Sequence, residues 1–182
     1  MSASSLTQRG TICISLTTFL RSGNHIDCKS TTLLTMSDRT KTPCGQDICN
    51  CAVMTLSREE GEHTHPFWYA HVLRTFHIQV LHTGPHARNR SPQTLEVLWV
   101  WWLGVDPTYQ WGLKEARLPK VGFIPTTDDN AFGFLDPSFV IRGCHLILAF
   151  AGGRSDALLR RGPSLARFEQ EADDWAFFYV NM

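Results

Sequence analysis

The clearest pattern of apolar and polar positions runs through residues 93–103, QTLEVLWVWWL. Successive side chains of a β-strand point to opposite faces, so the even and the odd positions of this segment would form two separate faces. Both faces are apolar, and the odd face carries Trp99 and Trp101. The pattern predicts a central strand that is covered on both sides, or one that presents its second face to a ligand.

Further strands are predicted where Val, Ile and aromatic residues are bounded by Gly, Pro, Asp or Asn. They cover residues 67–81, 121–124, 139–150 and 175–180. The first of these segments also fits two strands or an amphipathic helix, because its apolar residues recur at helical spacing as well. Residues 164–172 are predicted to form a short helix with Ser164 as its N-cap. The predicted fold class is mainly β, either a small barrel or a strand-dominated α+β unit with one short helix.

Composition divides the 182 residues into two unlike parts. Residues 1–61 are rich in Ser, Thr and Cys and contain one aromatic residue, Phe19, whereas residues 62–182 contain all six tryptophans. A segment that buries little apolar surface cannot offset the entropy that is lost when its backbone becomes ordered. We therefore predict that residues 1–61 are disordered or poorly structured and that residues 62–182 form a β-rich aromatic domain.

The charge and the hydropathy of the chain limit the classes of function that the protein can have. The chain has 17 basic and 17 acidic residues, so its formal net charge is zero. Dedicated nucleic-acid binders usually carry an excess of positive charge, because neutralisation of phosphates supplies much of their affinity. This balance argues against a generally basic protein and leaves a local basic patch open. No apolar stretch has the length of a transmembrane helix or the continuity of a signal peptide, so we expect an intracellular protein with no membrane association.

Three of the six cysteines form a C-x4-C-x-C motif. The motif consists of Cys44, Cys49 and Cys51, and His63 and His65 follow it. Zinc takes four nitrogen or sulfur ligands in a tetrahedron, which three thiolates and one imidazole can supply. Zinc sites usually combine two matching pairs of ligands, and the second pair here does not match the first. Free thiols are the simpler interpretation, and a zinc site built from these residues is the alternative.

No group of residues in the sequence has the arrangement that catalysis requires. Cys144 and His145 are neighbours, and adjacent residues of a strand point to opposite faces, so they cannot act as a nucleophile and its base. Asp128, Asp129 and Asp136 lie in predicted turns, where short polar side chains are common. We therefore expect a protein that is not an enzyme.

A binding role is predicted for the aromatic pair Trp99 and Trp101 and the basic pair Arg88 and Arg90. An exposed tryptophan face can stack on nucleic-acid bases, enclose a methylated lysine or receive a partner peptide. A covered face would instead belong to the core, which in a small barrel is filled by such residues. The candidate partners are protein, chromatin or nucleic acid.

Several short blocks in the second part follow one another in an order that resembles a known family. They include His65-Pro66-Phe67-Trp68-Tyr69-Ala70, Leu98-Trp99-Val100, Gly122-Phe123, Phe132-Gly133-Phe134-Leu135-Asp136-Pro137 and His145-Leu146-Ile147. This order is similar to that of a C-terminal domain in fungal transposon-encoded proteins of the Plavaka and KDZ type, relatives of the CACTA transposons. The resemblance covers residues 62–182. It implies a non-catalytic accessory or interaction domain and a nuclear location; without the resemblance, the expected location is cytoplasmic.

The chain departs from this family pattern in three places. Trp101 stands where the family has Arg, and Leu148 stands where it has Pro. The related proteins also continue beyond a segment similar to Tyr179-Val180-Asn181. The resemblance therefore implies a truncated copy, in which the strand at residues 175–180 would lack a neighbour. Unpaired apolar edges promote aggregation, so we expect poor solubility.

Overall fold

The computed structural model describes residues 31–38, 52–59, 64–82, 89–159, 162, 164, 166–167 and 173–182. Ten strands are present in these residues. In chain order they are β1 (Thr31–Asp38), β2 (Ala52–Leu56), β3 (Phe67–His82), β4 (Gln93–Val105), β5 (Lys120–Phe123), β6 (Phe132–Leu135), β7 (Arg142–Leu148), β8 (Arg154–Ser155), β9 (Asp174–Trp175) and β10 (Phe178–Asn181). The described helical turns are two short 3-10 turns, Pro137–Phe139 and Phe150–Gly152. The mainly β class that the sequence predicts is confirmed.

Six of the strands form a closed antiparallel barrel. The order around the ring is β2, β3, β4, β5, β10 and β7, and the pairing of β7 with β2 closes it. β3 and β4 form its longest pairing, which runs from Tyr69 opposite Leu103 to Val80 opposite Gln93. Because the ring is closed, its strands satisfy one another's backbone groups on both sides.

β3 and β4 continue beyond the ring as a long hairpin. β1 pairs with the far part of β3, from Phe76 to His82, and β6 pairs with β4. A β-bulge between Val72 and Arg74 lies where β3 leaves the ring. A bulge adds one residue to a strand and bends it, so the hairpin can curve around the barrel and then continue in an open sheet.

Alternate residues of the ring strands point inward and form the core of the barrel. The buried members of this core are Ala52, Met54, Tyr69, Leu103, Val121, Cys144, Phe178 and Val180. All six strands of the ring supply them, so no single stretch of sequence contains the core. Residues from distant parts of the chain must therefore come together before water is excluded from the interior of the barrel.

The two walls of the barrel differ in what lies outside them. Outside β2, β3 and β4, the outward side chains Val53, Ala70 and Val100 pack with Leu135 at the end of β6 and with Phe139 in the turn that follows it. This wall is therefore apolar on both sides, as the pattern at residues 93–103 predicts. Outside β7 and β10, by contrast, outward side chains reach solvent, and Ile147 is 44% exposed.

The barrel begins earlier in the chain than composition indicates. β2 precedes the predicted boundary at residue 61, yet Ala52 and Met54 are core residues and the strand joins β3 to β7. A strand of five residues has little effect on the composition of a segment of sixty, which is why the predicted division differs from the structure at this point. β1 also lies before the boundary, and the rest of residues 1–61 is almost entirely outside the described residues.

The predicted unpaired edge at residues 175–180 is wrong. β10 pairs with β7 on one side and with β5 on the other, so it completes the ring. The predicted strand is also interrupted, because Ala176 and Phe177 separate β9 from β10. The long segment at residues 67–81 forms the single strand β3 rather than two strands or a helix.

The predicted helix at residues 164–172 lies largely outside the described residues, which include only Ser164, Ala166 and Arg167 of that segment. The Oγ of Ser164 accepts a hydrogen bond from the Ala166 N–H at 3.1 Å. Arg167 then forms a buried ion pair with Asp174, with Nη2 2.6 Å from Oδ2, and also donates to the Leu159 carbonyl. These contacts tie Arg167 to β9 and to the segment that follows β8.

Candidate functional site

Trp101 lies in the core and does not form a binding surface. Its side chain is completely buried, with its ring stacked 4.0 Å from Phe123 and 5.4 Å from Phe132. Its Nε1–H donates a hydrogen bond of 2.8 Å to the Ile124 carbonyl. The role predicted for Trp101 as part of an open aromatic face is therefore wrong, because β5 and β6 bring two further rings over it.

The other predicted binding residues are not brought together. Trp99 shares the face of Trp101, is half-buried and lies 6.2 Å from Phe132. Arg90 is exposed just before β4, at the far end of the hairpin, and Arg88 lies outside the described residues. The six residue-to-residue steps from Gln93 to Trp99 alone span about 20 Å of strand. The predicted combination of two tryptophans and two arginines is thus not a single site.

His65 is the described member of the predicted zinc ligands. Its Nδ1 lies 2.8 Å from the Phe67 carbonyl oxygen, and its ring packs 4.4 Å from Trp111 and 5.4 Å from Tyr69. Its Nε2 is buried and has no hydrogen-bond partner among the described residues. Burial lowers the pKa of His65 below its ordinary value.

The other zinc candidates, Cys44, Cys49, Cys51 and His63, lie outside the described residues. Within the described part of the chain, no three His, Cys, Asp or Glu side chains are grouped as metal ligands would be.

The barrel interior contains a few titratable groups. Burial raises the pKa of the Cys144 thiol to about 11. Burial also raises the pKa of Tyr69, whose hydroxyl lies 3.9 Å from the Met182 sulfur. His71 points inward as well, 6.0 Å from the Phe123 ring, and burial lowers its pKa. Cys144 is buried while His145 is exposed, as expected for neighbours on a strand, so the two do not form a dyad.

A different group of aromatic residues lies on the solvent side of the barrel, over β5, β7 and β10. We call it the outer aromatic face. It consists of Tyr109, Phe150, Trp175, Phe177 and Tyr179, together with the cationic residues Arg117, Lys120 and Arg154. All five rings are at least partly exposed, and Phe150 is 70% exposed.

Lys120 lies at the centre of the outer aromatic face. Its Nζ is 4.0 Å from the ring centre of Phe177 and 5.7 Å from that of Tyr109. It also forms an ion pair of 3.1 Å with Asp106. Hydrogen bonds from Thr108, and then the contact with Lys120, lower the pKa of Asp106. The loop before β5 thus holds a positive charge against two rings.

Phe177 is fixed in place by two glycines. A Cβ atom on Gly122 would lie 3.3 Å from the Phe177 ring and 2.9 Å from the Ala176 carbonyl oxygen. A Cβ atom on Gly152 would lie 3.0 Å from the same ring. Because neither glycine has a side chain, the Phe177 ring can pack directly against the backbone at both positions.

Rings and cations continue on either side of Phe177. Tyr109 is 5.9 Å from Tyr179, and the Arg117 guanidinium lies 5.8 Å from the Tyr109 ring centre. In the other direction, Phe150 meets Trp175 edge-on at 5.4 Å. The Arg154 guanidinium lies 4.9 Å from the Trp175 ring centre. Each of the three cations therefore lies beside at least one ring.

The sequence did not predict the outer aromatic face, because the densest group of tryptophans lies in β4, on another part of the barrel. Phe177 and Tyr179 alternate along the apolar segment before Asn181, so their shared face is visible in the sequence. The sequence does not show that this face is the solvent side, because that depends on how β10 closes the ring. Arg117 lies in the polar loop before β5 and Lys120 is the first residue of β5, and the sequence around them gives no signal of a binding site.

The chain matches no known protein family, no curated protein and no solved structure. Among the described residues, none belongs to a helix long and apolar enough to cross a lipid bilayer.

Proposed function

We propose that the chain is a non-catalytic binding module and that the outer aromatic face is its binding surface. The observation that carries this proposal is the placement of four partly exposed rings and three cations on the side of the barrel opposite the covered wall; the fifth ring, Trp175, is partly exposed but also packs against the barrel core. Apolar groups that reach solvent singly are common on proteins, whereas a continuous group marks an interaction site.

The composition of the face supports the same proposal. Tyr, Trp, Phe and Arg are enriched in binding interfaces, and residues that dominate binding energy are enriched in Trp, Tyr and Arg. Binding to this face would cost little side-chain entropy, because its rings already contact one another or the neighbouring cations. An intracellular accessory module of a transposon-derived protein, as the family resemblance implies, would use such a surface, and its location would be nuclear.

Hydrogen–deuterium exchange on the full chain tests this proposal. The probes are a single-stranded oligonucleotide, an acidic peptide and a peptide that contains trimethyl-lysine. We expect one probe to slow exchange in β7 and β10, and the effect to be lost in Phe150→Ala. The matched control is Leu56→Ala, because Leu56 is 64% exposed at the end of β2, a strand that is not part of the outer aromatic face. Protection of other segments, or binding of none of the probes, would contradict the proposal.

Zinc binding is a second candidate function, and His65 provides the observation in its favour. Zinc-binding histidines usually hold one ring nitrogen in a hydrogen bond to a carbonyl or carboxylate while the other nitrogen binds the metal. In His65, Nδ1 lies 2.8 Å from the Phe67 carbonyl oxygen and 3.1 Å from the Phe67 backbone nitrogen, and Nε2 is buried without a partner among the described residues. The tautomer with its proton on Nδ1 would donate to the carbonyl and leave Nε2 available to a metal.

Metal analysis of the purified full chain tests the zinc proposal. If Cys49 and His65 are ligands, Cys49→Ser and His65→Gln should both lose zinc, and Cys144→Ala should keep it. Wild-type protein that takes up no zinc from a zinc-containing buffer would rule this function out.

A further inference from the structure

We infer that the sheet beyond the barrel carries a second interaction surface and that residues 11–20 of the same chain bind to it. The surface is one face of β3, β4 and β6, which we call the hairpin face. Its side chains are Phe76, Ile78, Val80, Leu95, Val97 and Phe134. These residues do not belong to the outer aromatic face, so the inference does not rest on the proposed function.

The register of the strands places these side chains on one side of the sheet. Phe76 is opposite Val97, and Ile78 is opposite Leu95. Residues that are directly opposite each other in antiparallel strands point to the same side. Phe134 is opposite Trp99, two residues from Val97 along β4, so it shares this side as well.

The burial of the hairpin face requires a covering layer. Val97 is 1% exposed and Ile78 is 3% exposed. A sheet buries an apolar face only when another element packs against it. Among the described residues, the apolar side chains of this cluster all come from the sheet itself, and the turn at Pro137–Phe139 packs on the other side, against Val100. The covering layer therefore comes from a part of the chain outside the described residues.

Composition identifies residues 11–20 as this layer. The segment lies outside the described residues and has five large apolar side chains, Ile12, Ile14, Leu16, Phe19 and Leu20. The other stretches outside the described residues contain at most two each, such as Leu165 and Phe168. Only residues 11–20 supply enough apolar surface to cover the six side chains of the hairpin face.

The order of apolar and polar residues in this segment is that of a strand with one apolar side. Ile12, Ile14 and Leu16 alternate with small residues, which are Cys13, Ser15 and Thr17. The four steps from Ile12 to Leu16 span about 13 Å in an extended chain, and so do the four steps from Phe76 to Val80. Three alternate apolar side chains on each side can therefore meet along the same length.

The connection between this segment and the sheet is long enough. Ten residues separate Leu20 from Thr31, where β1 begins and pairs with β3. An extended chain of ten residues reaches about 33 Å. The four strands β1, β3, β4 and β6 occupy about 15 Å, because neighbouring strands are about 4.8 Å apart. Residues 11–20 can thus reach every part of the hairpin face.

This inference differs from the prediction that residues 1–61 are poorly structured. Composition averaged over that segment does not reveal a stretch of ten residues with five large apolar side chains. The bound segment acts as a strap, so another apolar chain can reach the hairpin face only after residues 11–20 are released.

Photo-cross-linking in the full chain tests the inference directly. In the variant Ile14→p-benzoylphenylalanine, we expect cross-links to β3 or β4, within residues 76–80 or 95–97, as mapped by mass spectrometry. The matched control is Ser15→p-benzoylphenylalanine, because neighbouring residues of a strand point to opposite sides. The control should give few cross-links to the hairpin face.

Hydrogen–deuterium exchange of full-length variants provides a second measurement. Ile14→Asp places a charge where the inference requires an apolar contact, so the segment should detach. We expect the amides of residues 76–80 and 95–97 to exchange about tenfold faster or more, because local opening no longer displaces a packed layer. Ser15→Asp should exchange like the wild type. Unchanged exchange in β7 and β10 would show that Ile14→Asp still folds.

Either measurement can overturn the inference. Cross-links from position 14 that miss β3 and β4, or that join two chains, would show that residues 11–20 do not cover the hairpin face of their own chain. Equal exchange of residues 76–80 and 95–97 in Ile14→Asp and the wild type would show that another segment covers it.

Discussion

Trp101 joins the interior of the barrel to the sheet that extends beyond it. Its buried ring contacts Phe123 and Phe132, and its indole N–H is bonded to Ile124. Replacing a buried tryptophan or phenylalanine by alanine usually costs about 3–5 kcal/mol, because a cavity remains. We predict that Trp101→Ala lowers the free energy of unfolding by about this amount, as measured by urea denaturation. Equal stability of this variant and the wild type would contradict the packing described here.

Burial of the Cys144 thiol makes the free energy of unfolding depend on pH in the alkaline range. Its folded pKa of about 11 lies above the ordinary value of 9.0, so the unfolded chain loses this proton first. The contribution to stability is complete below pH 9 and is lost as the pH rises through about 11. A shift of this size corresponds to about 2–3 kcal/mol. We predict that stability measured by urea denaturation falls over this range and falls less in Cys144→Ala; parallel curves for the two proteins would contradict the prediction.

At the scale of elements, β5 and the segment before β10 approach closely because Gly122 has no side chain. A methyl group there would meet the Ala176 carbonyl oxygen and the Phe177 ring. Forcing extra atoms into a packed region usually costs about 1–3 kcal/mol. We predict that Gly122→Ala is destabilised by this amount in thermal or urea unfolding. Gly104→Ala is the matched control, because the atom nearest its Cβ would be 4.0 Å away; equal losses in both would argue against a specific contact.

The strands could be predicted from the sequence more fully than their surroundings. The alternating apolar side chains at residues 93–103 predict the strand β4. They also indicate that both faces of this strand are apolar, and in the structure both are packed against other residues. They do not show which residues cover the two faces, because Phe132, Leu135 and Phe139 come from later elements. The same limit explains the misassigned Trp101 and the missed Phe177: both lie on predicted strands, but only the closed ring decides which side is solvent.

At the scale of the whole molecule, β2 is needed to close the ring. It lies between β3 and β7, and its loss would leave an open sheet with the core exposed. We predict that limited proteolysis of the full chain leaves a resistant fragment that retains Ala52–Leu56, as identified by intact mass. A resistant fragment that begins at residue 60 or later and unfolds cooperatively would show that the ring does not need this strand.

The closing role of β10 has a consequence for synthesis on the ribosome. β5 and β7 leave the exit tunnel first, and the strand that joins them is translated after every other described strand. Until then, both partners have unpaired edges, and the wall that carries the outer aromatic face does not exist. Nascent chains on one messenger RNA could therefore pair through these unpaired strand edges before the barrel closes. A chaperone that acts during translation is thus more important for this protein than for a protein whose fold consists of local contacts.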